Sequence, residues 1–471
     1  MTEILPETAI RGTRRDLLRF GACGFGSMAL AGLASANPRR LHHPPRAKRV
    51  IFLFMQGGVS QVDSFDEKPL LAERNGEMLP FHDARSFANT GALATTQRVM
   101  RSPWKFQRYG ESGRAVSELF PQVAQHVDDL CFLHGMQTEG VAHGPATLFL
   151  HCGATTVVRP SMGAWIHYGL GSENENLPGF VSIGASSGNG GARNTGAAFL
   201  PARHQGTVLG RAGQSPREAR FRNMATDPAT REERRVDLDF VSRLNALQQT
   251  GRPADEEWQA VADSYHLAWR IQTAAPDILD LTRETAETHA LYGIGESPTD
   301  NFGQQCLMAR RLCEAGVRYV QVTYGDNSAN PAWDQHSNLP KHADHARATD
   351  RPVAGLLADL KRRGLLEDTL VWWGGEFGRT PYAEKAGTGR DHNPAGFTVW
   401  LAGGGVRPGF AYGETDEFGH QAIRGKVHMH DLHATILHQL GLDHEQLTYR
   451  NAGRDFRLTD VAGRVVQEIL A

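Results

Sequence analysis

Six short, largely apolar runs constrain the fold of this chain more than any other feature. The first, 50–55, is unbroken and stops at Gln56-Gly57-Gly58. A run without alternation between apolar and polar positions is typical of a central strand in a parallel sheet, because both faces of such a strand are covered. Similar runs recur at 130–133, 179–183, 319–322, 369–373 and 397–401.

Helical patterns lie between several of these runs. The clearest are 351–363, with Pro352 in its first turn, and 431–440, which Asp431 caps through its side chain. This alternation predicts a doubly wound α/β fold, with a mostly parallel sheet flanked by helices. Ligands bind such sheets beyond the carboxyl ends of the strands, so the residues that follow each run are the candidates for chemistry.

Residues 1–36 have the pattern of an export signal. The pair Arg14-Arg15 precedes a short apolar run, 20–33, and small residues lead to a cleavage site after Ala36. This order predicts export through the twin-arginine pathway to the periplasm or cell envelope of a bacterium. No other stretch approaches the roughly 18 apolar residues that a membrane span needs.

The rest of the chain is interpreted as one domain. We expect a basic linker over 37–48 and an α/β domain over 49–471, with a charged helical insertion at about 214–296. The 50 basic residues are balanced by 52 acidic ones, so no cationic excess is available to hold nucleic acid. A nucleic-acid partner is therefore excluded from the expected function.

Some titratable groups are assigned structural roles. Cys306 and Cys313 fall on the same face of one predicted helix, about 10 Å apart along its axis, which is too far for a disulfide. We expect all four cysteines beyond the leader to be buried thiols. Three histidines near the last helix, His428, His430 and His433, are interpreted as exposed helix-end residues.

Polar clusters follow the predicted strands or begin the predicted helices. They are Gln56 with Asp63 and Asp66, His143, Asp334 with His336, Glu376 with Arg379, and Arg390 with His392. Each cluster alone is more typical of a surface turn or a strand-ending loop. Together they offer carboxylate and imidazole at several strand ends, which is the mixture that a divalent metal ion accepts.

These motifs resemble those of the DUF1501 family, a group of exported proteins of unknown function in the alkaline phosphatase and sulfatase superfamily. The residues that carry the resemblance are 55–66, 159–165, 176–180, Trp333-Asp334-x-His336, 375–381 and 389–392. The resemblance implies an alkaline-phosphatase-like fold. It also implies two metal positions that bridge a nucleophile at a helix N-terminus.

The resemblance implies one nearly intact metal site. Asp334, His336 and His392 match three of its ligands and leave an open position, the arrangement of a catalytic zinc-like centre. Glu376 replaces an aspartate of the second position. Asp63 is a further candidate ligand there.

The second metal position departs from the superfamily pattern. Gln56 stands where an aspartate is expected, and Phe377 removes another ligand. His143 occupies the place of the nucleophile, so the formylglycine signature is absent. Three roles are open to His143: attack on phosphorus, metal ligation, or acid and base catalysis. Arg379 and Arg390 are expected to hold ester oxygens bidentately.

We therefore predict a metal-dependent hydrolase of phosphate or sulfate esters, not of the formylglycine type, acting on a small-molecule or glycan ester. Zinc is the expected metal, with manganese or calcium as alternatives. The rival hypothesis is a catalytically degenerate protein of the same fold that binds a glycan or a partner protein. Gln56, Phe377 and the lost nucleophile favour this rival, whereas no residue specifically supports a phosphomutase-like isomerase.

Overall fold

The computed structural model describes residues 41–471, except 82–95, 220, 222–227, 251–255, 327, 329–330 and 385–387. The predicted export signal, 1–36, lies outside the described residues. Within the described part, no helix has both the length and the apolar character needed to cross a membrane.

Eleven strands build the part of the fold that positions the site. They are β1 (Arg49–Met55), β2 (Leu130–Gln137), β3 (Phe180–Ala185), β4 (Thr207–Arg211), β5 (Tyr319–Tyr324), β6 (Thr369–Gly374), β7 (Gly378–Ala383), β8 (Arg390–Asn393), β9 (Phe397–Ala402), β10 (Phe410–Tyr412) and β11 (Val427–His428). Short strands elsewhere pair as two-stranded ribbons at Met78–Leu79 with Gln97–Arg98, Phe106–Tyr109 with Arg114–Ser117, Glu414–Thr415 with Ala422–Arg424, and Tyr449–Asn451 with Arg454–Phe456.

The central sheet has the order β10-β2-β9-β6-β1-β5-β3-β4, and β11 also pairs with β2. Strand β1 lies between β6 and β5 and is parallel to both. Only β9 among the described sheet strands runs antiparallel to its neighbours, β6 and β2. The predicted mostly parallel α/β sheet is thus confirmed. The hairpin of β7 and β8 lies outside this sheet.

The described residues form ten α-helices. They are α1 (Gln61–Ser64), α2 (Pro69–Glu73), α3 (His143–Cys152), α4 (Met162–Leu170), α5 (Pro228–Gln249), α6 (Glu256–Leu279), α7 (Ala286–Leu291), α8 (Asp300–Glu314), α9 (Lys341–Arg362) and α10 (Met429–Gln439). Helices α5 and α6 fall in the segment expected to be a helical insertion.

Helix α9 differs from its prediction. It begins at Lys341, so Pro352 lies inside the helix and not in its first turn. A proline at such a position removes one backbone hydrogen bond and costs about 3 kcal/mol. Ala346 and Thr349 before it and Val353 after it are all buried. Packing along the whole helix offsets that cost.

The start of α10 confirms one prediction and overturns another. The Asp431 carboxylate accepts from the backbone N–H of His428 at 3.0 Å, completing a capping box. The predicted exposure of His430 and His433 is wrong, since both are buried. Each donates through Nε2 to a carbonyl oxygen at the end of α3, at 3.0 and 2.8 Å, which lets an imidazole lie in the interior.

The side chains of β1 alternate between two buried layers. Ile51, Leu53 and Met55 belong to the core that α8 and α9 cover, whereas Phe52 and Phe54 belong to the core of α3, α4 and α10. Burial on both faces explains the unbroken apolar run of β1. The four described cysteines are unpaired and buried, as predicted.

Candidate metal centre

Four side chains converge where the strands of the sheet end. His143 begins α3, Asp334 and His336 lie between β5 and α9, and His392 is in β8. One ligand atom from each lies within 4.8 Å of the others. Asp334 Oδ1 is 3.2 Å from His143 Nε2, 2.8 Å from His336 Nε2 and 3.3 Å from His392 Nε2. We call these four residues the His3Asp cluster.

Each imidazole of the cluster is oriented through its other ring nitrogen. His143 Nδ1 lies 2.6 Å from Glu376 Oε1, His392 Nδ1 lies 2.7 Å from the carbonyl oxygen of Val141, and His336 Nδ1 contacts the Glu384 carboxylate. Because these oxygens accept hydrogen bonds, the neutral form of each imidazole carries its proton on Nδ1 and keeps its lone pair on Nε2. Three lone pairs therefore point into the cluster.

The donor set fits a divalent metal ion. His336 Nε2 and His392 Nε2 are 2.9 Å apart, and two lone pairs at that distance repel each other unless they share a proton or a metal ion. His143 Nε2 is buried without a hydrogen bond in the described structure. Ligands about 2.0 Å from a tetrahedral ion lie roughly 3.3 Å from one another, close to the separations found here. Three imidazoles with one carboxylate suit zinc or a similar ion, whereas calcium takes six to eight oxygens.

The electrostatics of the cluster favour positive charge. Burial raises the pKa of Asp334, but the three histidines and Arg379 more than offset this and hold that pKa well below its usual range. Burial lowers the pKa of His143 and His336, yet the carboxylates facing them raise it further, so both shifts are upward. Burial dominates at His392 and lowers its pKa to about 4. The Asp334 carboxylate is therefore ionised and can act as an anionic ligand.

Glu376, a predicted metal ligand, lies behind His143 in this structure. Its two carboxylate oxygens accept hydrogen bonds from the backbone N–H of Gly57 at 3.0 and 3.1 Å, and Oε1 also accepts a hydrogen bond from His143 Nδ1. Gly57 has a φ of 115°, and a Cβ there would lie 2.7 Å from the backbone nitrogen of Asp334. Only glycine fits between these two segments of backbone. The turn after β1 therefore holds the Glu376 carboxylate through the Gly57 N–H and lies directly against the backbone of Asp334.

Phe377 and Gln56 do not contribute ligands. The Phe377 ring packs 4.3 Å from the His392 ring and 5.0 Å from the His143 ring, centroid to centroid, and forms an apolar wall of the cluster. Gln56 is buried outside the four-residue group. Where a two-metal arrangement would have further ligands, this protein therefore has an apolar wall, Phe377, and a buried amide, Gln56.

Asp63, another predicted ligand, is placed away from the His3Asp cluster. Its carboxylate meets the Arg390 guanidinium at 2.7 and 3.1 Å, and both side chains are fully buried. Ser60 Oγ donates to it at 2.5 Å. Nearby Asp66 pairs with Lys68 at 3.0 Å. The predicted ligand Asp63 and the predicted ester-binding Arg390 thus contact each other.

Arg379 is fully buried and connects three loops. It donates to the carbonyl oxygens of Gly58, Trp333 and Arg390 at 3.0, 3.3 and 3.1 Å, and to Asp334 Oδ1 at 2.7 Å. These contacts orient Asp334. They also use the donors that were expected to hold ester oxygens.

Glu384 is a site residue that sequence reasoning missed. It is 8% exposed and follows β7, and it forms a second close group with His336 and Asp391. No motif spacing marks it. The available signal was the hairpin, because the pairing of Ala383 with Arg390 brings the end of β7 beside the residues that lead to His392.

Comparison with known protein families identifies the family of this chain. The DUF1501 family, described as a protein family of unknown function, matches residues 47–470. The chain belongs to the DUF1501 family. The resemblance of its motifs is thereby confirmed. No curated protein matches the sequence of this DUF1501 protein.

The solved structures that are similar to this DUF1501 protein include a sulfatase, an alkaline phosphatase and a phosphonate monoester hydrolase. The PsFucS1 sulfatase from Pseudoalteromonas sp. is 11% identical, with 84% of this chain and 68% of that chain covered and a TM-score of 0.35. The alkaline phosphatase from the Antarctic bacterium TAB5 is 12% identical, with 79% and 96% covered and a TM-score of 0.31. The phosphonate monoester hydrolase SpPMH from Silicibacter pomeroyi is 11% identical, with 90% and 76% covered and a TM-score of 0.33. Similarity at this level carries no argument about sites or activities.

Proposed function

We propose that this DUF1501 protein is a metal-dependent hydrolase of phosphate or sulfate esters that works without formylglycine. The single observation that supports the proposal is the convergence of three Nε2 lone pairs and one carboxylate oxygen at the strand ends. Each nitrogen has its tautomer set by a separate acceptor. Buried histidines in a purely structural role need no such common orientation.

His143, Asp334, His336 and His392 are the proposed ligands. A divalent ion held there supplies Lewis acidity, which polarises an ester oxygen and makes water a stronger nucleophile. Glu376 and Glu384 are positioning residues, since they hold the rings of two ligands and keep the proton on Nδ1. Arg379 keeps Asp334 in place.

We assign His143 a ligand role, not a nucleophilic one. Its Nδ1 proton is held by Glu376 at 2.6 Å, and its Nε2 faces Asp334 Oδ1 at 3.2 Å. Neither nitrogen is directed away from the cluster toward an incoming ester. In this proposal water is the nucleophile.

Substrate approaches the cluster at His336. The His336 side chain is 27% exposed, against 11% for His143, 7% for His392 and 4% for Asp334. The apolar wall at Phe377 covers the rings of the other two histidines. The ester oxygen therefore meets the cluster from the His336 side.

We propose zinc or manganese as the metal in preference to calcium. Four protein ligands would fill the shell of a structural zinc site, so catalysis with zinc would require a fifth ligand, as catalytic zinc sites allow. A manganese ion would accept up to six ligands and so keep positions for substrate. Turnover with either ion would therefore distinguish a catalytic centre from a structural one.

The test compares metal content with turnover. The purified protein, loaded with zinc or with manganese, is measured for bound metal by mass spectrometry and for hydrolysis of aryl phosphates, phosphonates and sulfates. We expect one ion per chain and turnover with at least one ester class, both lost in Asp334→Asn and His336→Ala. His289→Ala, in α7 and outside the cluster, serves as the matched control. A metal-loaded protein inactive on every ester contradicts the hydrolase proposal.

A non-catalytic binding protein is the second candidate. The observation that favours it is the internal use of both arginines, because Arg379 and Arg390 make their described contacts with backbone carbonyls and buried aspartates. In that case the metal stabilises a recognition surface for a glycan or a partner protein. Metal-dependent binding to sulfated glycans without product release would establish this function.

We also propose that the protein acts in the cell envelope after twin-arginine export. The proposal rests on the sequence pattern of residues 1–36. Replacing Arg14 and Arg15 together by Lys should hold the protein in the cytoplasmic fraction. The parent protein should be recovered from the periplasm or envelope, and recovery of both in the same fraction contradicts export by this route.

A further inference from the structure

Helix α5 exposes a row of large apolar side chains. The exposed residues are Val236 at 54%, Phe240 at 62%, Val241 at 46%, Leu244 at 42% and Leu247 at 71%. They recur at helical spacing over three turns and so lie on one side of the helix. We call them the α5 stripe.

The opposite side of α5 is less apolar, although it is the side that packs on α6. Leu238, Ser242 and Asn245 are half-buried there, and Ser242 Oγ lies 3.2 Å from Nε2 of His266 in α6. A helix docked on a domain normally turns its more apolar side inward. The reversed orientation of α5 indicates that the stripe is covered by something else.

The size of the stripe matches one side of a protein interface. The exposed fractions of its five residues correspond to roughly 500 Å² of surface, whereas a standard interface buries ~800 Å² per partner, of which about 57% is apolar. The largest apolar patch on a typical monomer is ~300–600 Å² and is often functional. The stripe is therefore large enough to form the apolar centre of a stable contact.

The charges on α5 favour a protein over a lipid surface. The helix carries four arginines and four acidic residues, so it has no net charge. Helices that lie on membranes have an excess of Lys and Arg on the polar face. In α5, Arg235 is instead paired within the helix to Glu232 and Asp239 at 2.6 and 3.2 Å.

We propose that the α5 stripe is the interface of a homodimer, in which α5 packs antiparallel against α5 of a second copy. A two-fold contact uses the same surface on both chains, and a pair centred on Phe240 places one stripe against the other. In that arrangement Asp239 and Arg243 of the second copy lie on the same flank, within one helical turn. The two Asp239 side chains at the centre of this flank each have an Arg243 of the other copy beside them, so opposite charges adjoin along the apolar seam.

The first test measures the mass of the full chain in solution by light scattering. We expect twice the monomer mass for the parent protein and the monomer mass for Phe240→Asp. Val461→Asp changes an apolar residue that is 84% exposed elsewhere, and it should remain dimeric. Circular dichroism checks that each variant is folded. A monomeric parent protein at tens of micromolar overturns the proposal.

The second test fixes the direction of the helices by cysteine cross-linking. In a chain with Cys23→Ala, the remaining native thiols are buried. Under copper phenanthroline, Phe240→Cys should form a covalent dimer. Leu247→Cys should not, because the two sulfurs would lie about 20 Å apart along the helices. Equal cross-linking at both positions contradicts an antiparallel pair.

A lipid role for the stripe would also overturn the proposal. It would appear as a monomer whose binding to phosphatidylglycerol vesicles is lost in Phe240→Asp. Ester hydrolysis does not enter these measurements, so the dimer and the proposed activity succeed or fail separately.

Discussion

Asp63 and Asp334 are aspartates with buried side chains that follow the neighbouring strands β1 and β5, and they have opposite surroundings. Asp63 is bound by one guanidinium on both of its oxygens, so its charge is neutralised within a pair. Asp334 Oδ1 contacts one arginine, Arg379, and also faces three imidazoles. The carboxylates of Glu376 and Glu384 contact two of those imidazoles from the other side. The number of aspartates near a strand end therefore does not predict a metal site. The partners that tertiary contacts bring to each aspartate decide it.

The largest expected effect separates the two aspartates by metal binding. Asp334→Asn removes the anionic ligand that all three histidines face, so we expect metal affinity to fall by at least 1000-fold, as measured by competition with a chelating dye. Asp63→Asn should bind metal as the parent protein does. Equal losses in the two variants would contradict the distinction.

Stability should depend on the buried charge pair of Asp63 with Arg390. Asp63→Asn leaves the fully buried Arg390 without its counter-ion, which should cost about 3–5 kcal/mol in the free energy of unfolding. Denaturant unfolding of the metal-free protein measures this loss. The double variant with Arg390→Gln should recover part of it, because no unpaired charge remains. A double variant no more stable than Asp63→Asn argues against a charge-pair origin.

The positioning role of Glu376 predicts an intermediate effect. Glu376→Gln keeps the size of the side chain but weakens the hold on His143 Nδ1, so metal affinity should fall about 10- to 100-fold. Bound metal should be regained at higher metal concentration, which Asp334→Asn should not permit. Glu417→Gln, at an exposed position, is the control variant. An unchanged affinity in Glu376→Gln removes this residue from the site.

The last effect changes with pH and concerns histidines that lack carboxylate partners. Burial lowers the pKa of His151 to about 4 and that of His433 to about 3. These groups protonate in the unfolded chain near pH 6.5, so the unfolded state binds more protons below that pH and stability falls as pH drops toward 4. Each contributes about 1.4 kcal/mol per pH unit.

Unfolding of metal-free protein between pH 7.5 and 4.5 measures this slope. His433→Gln, whose amide can still donate to the carbonyl that His433 contacts, should reduce it. A His433→Gln variant with the same slope as the parent protein contradicts the assignment of a neutral, buried imidazole at His433.

The strands of the central sheet were predictable because their signal is local. The runs near 50, 319 and 369 became β1, β5 and β6, and the residues just after them face the site. The prediction began helix α9 ten residues too late. The residues before Pro352 are largely polar in sequence, and only the packing shows that one side of this segment is buried. Helix α5 shows the same limit, since its periodicity was readable and its outward orientation was not.

The residue types of the site were also predictable, and their partners were not. Asp334, His336 and His392 were selected from motifs and lie together, and His143 joins them through α3. Four other residues were selected on the same grounds, but their side chains are bound by other protein groups and are not part of the His3Asp cluster: Asp63, Arg390, Glu376 and Arg379. Glu384 was missed because a hairpin brings it to His336 from 48 positions away.

The sequence by itself determined the order of strands and helices, the family, and a supply of imidazole and carboxylate at the strand ends. Tertiary structure alone decided which carboxylates are neutralised by arginine and which face nitrogen lone pairs. The physical reason is that apolar periodicity is a local property of the chain. The protonation and orientation of a ligand depend instead on hydrogen-bond acceptors, such as Val141 and Glu384, that arrive from distant segments.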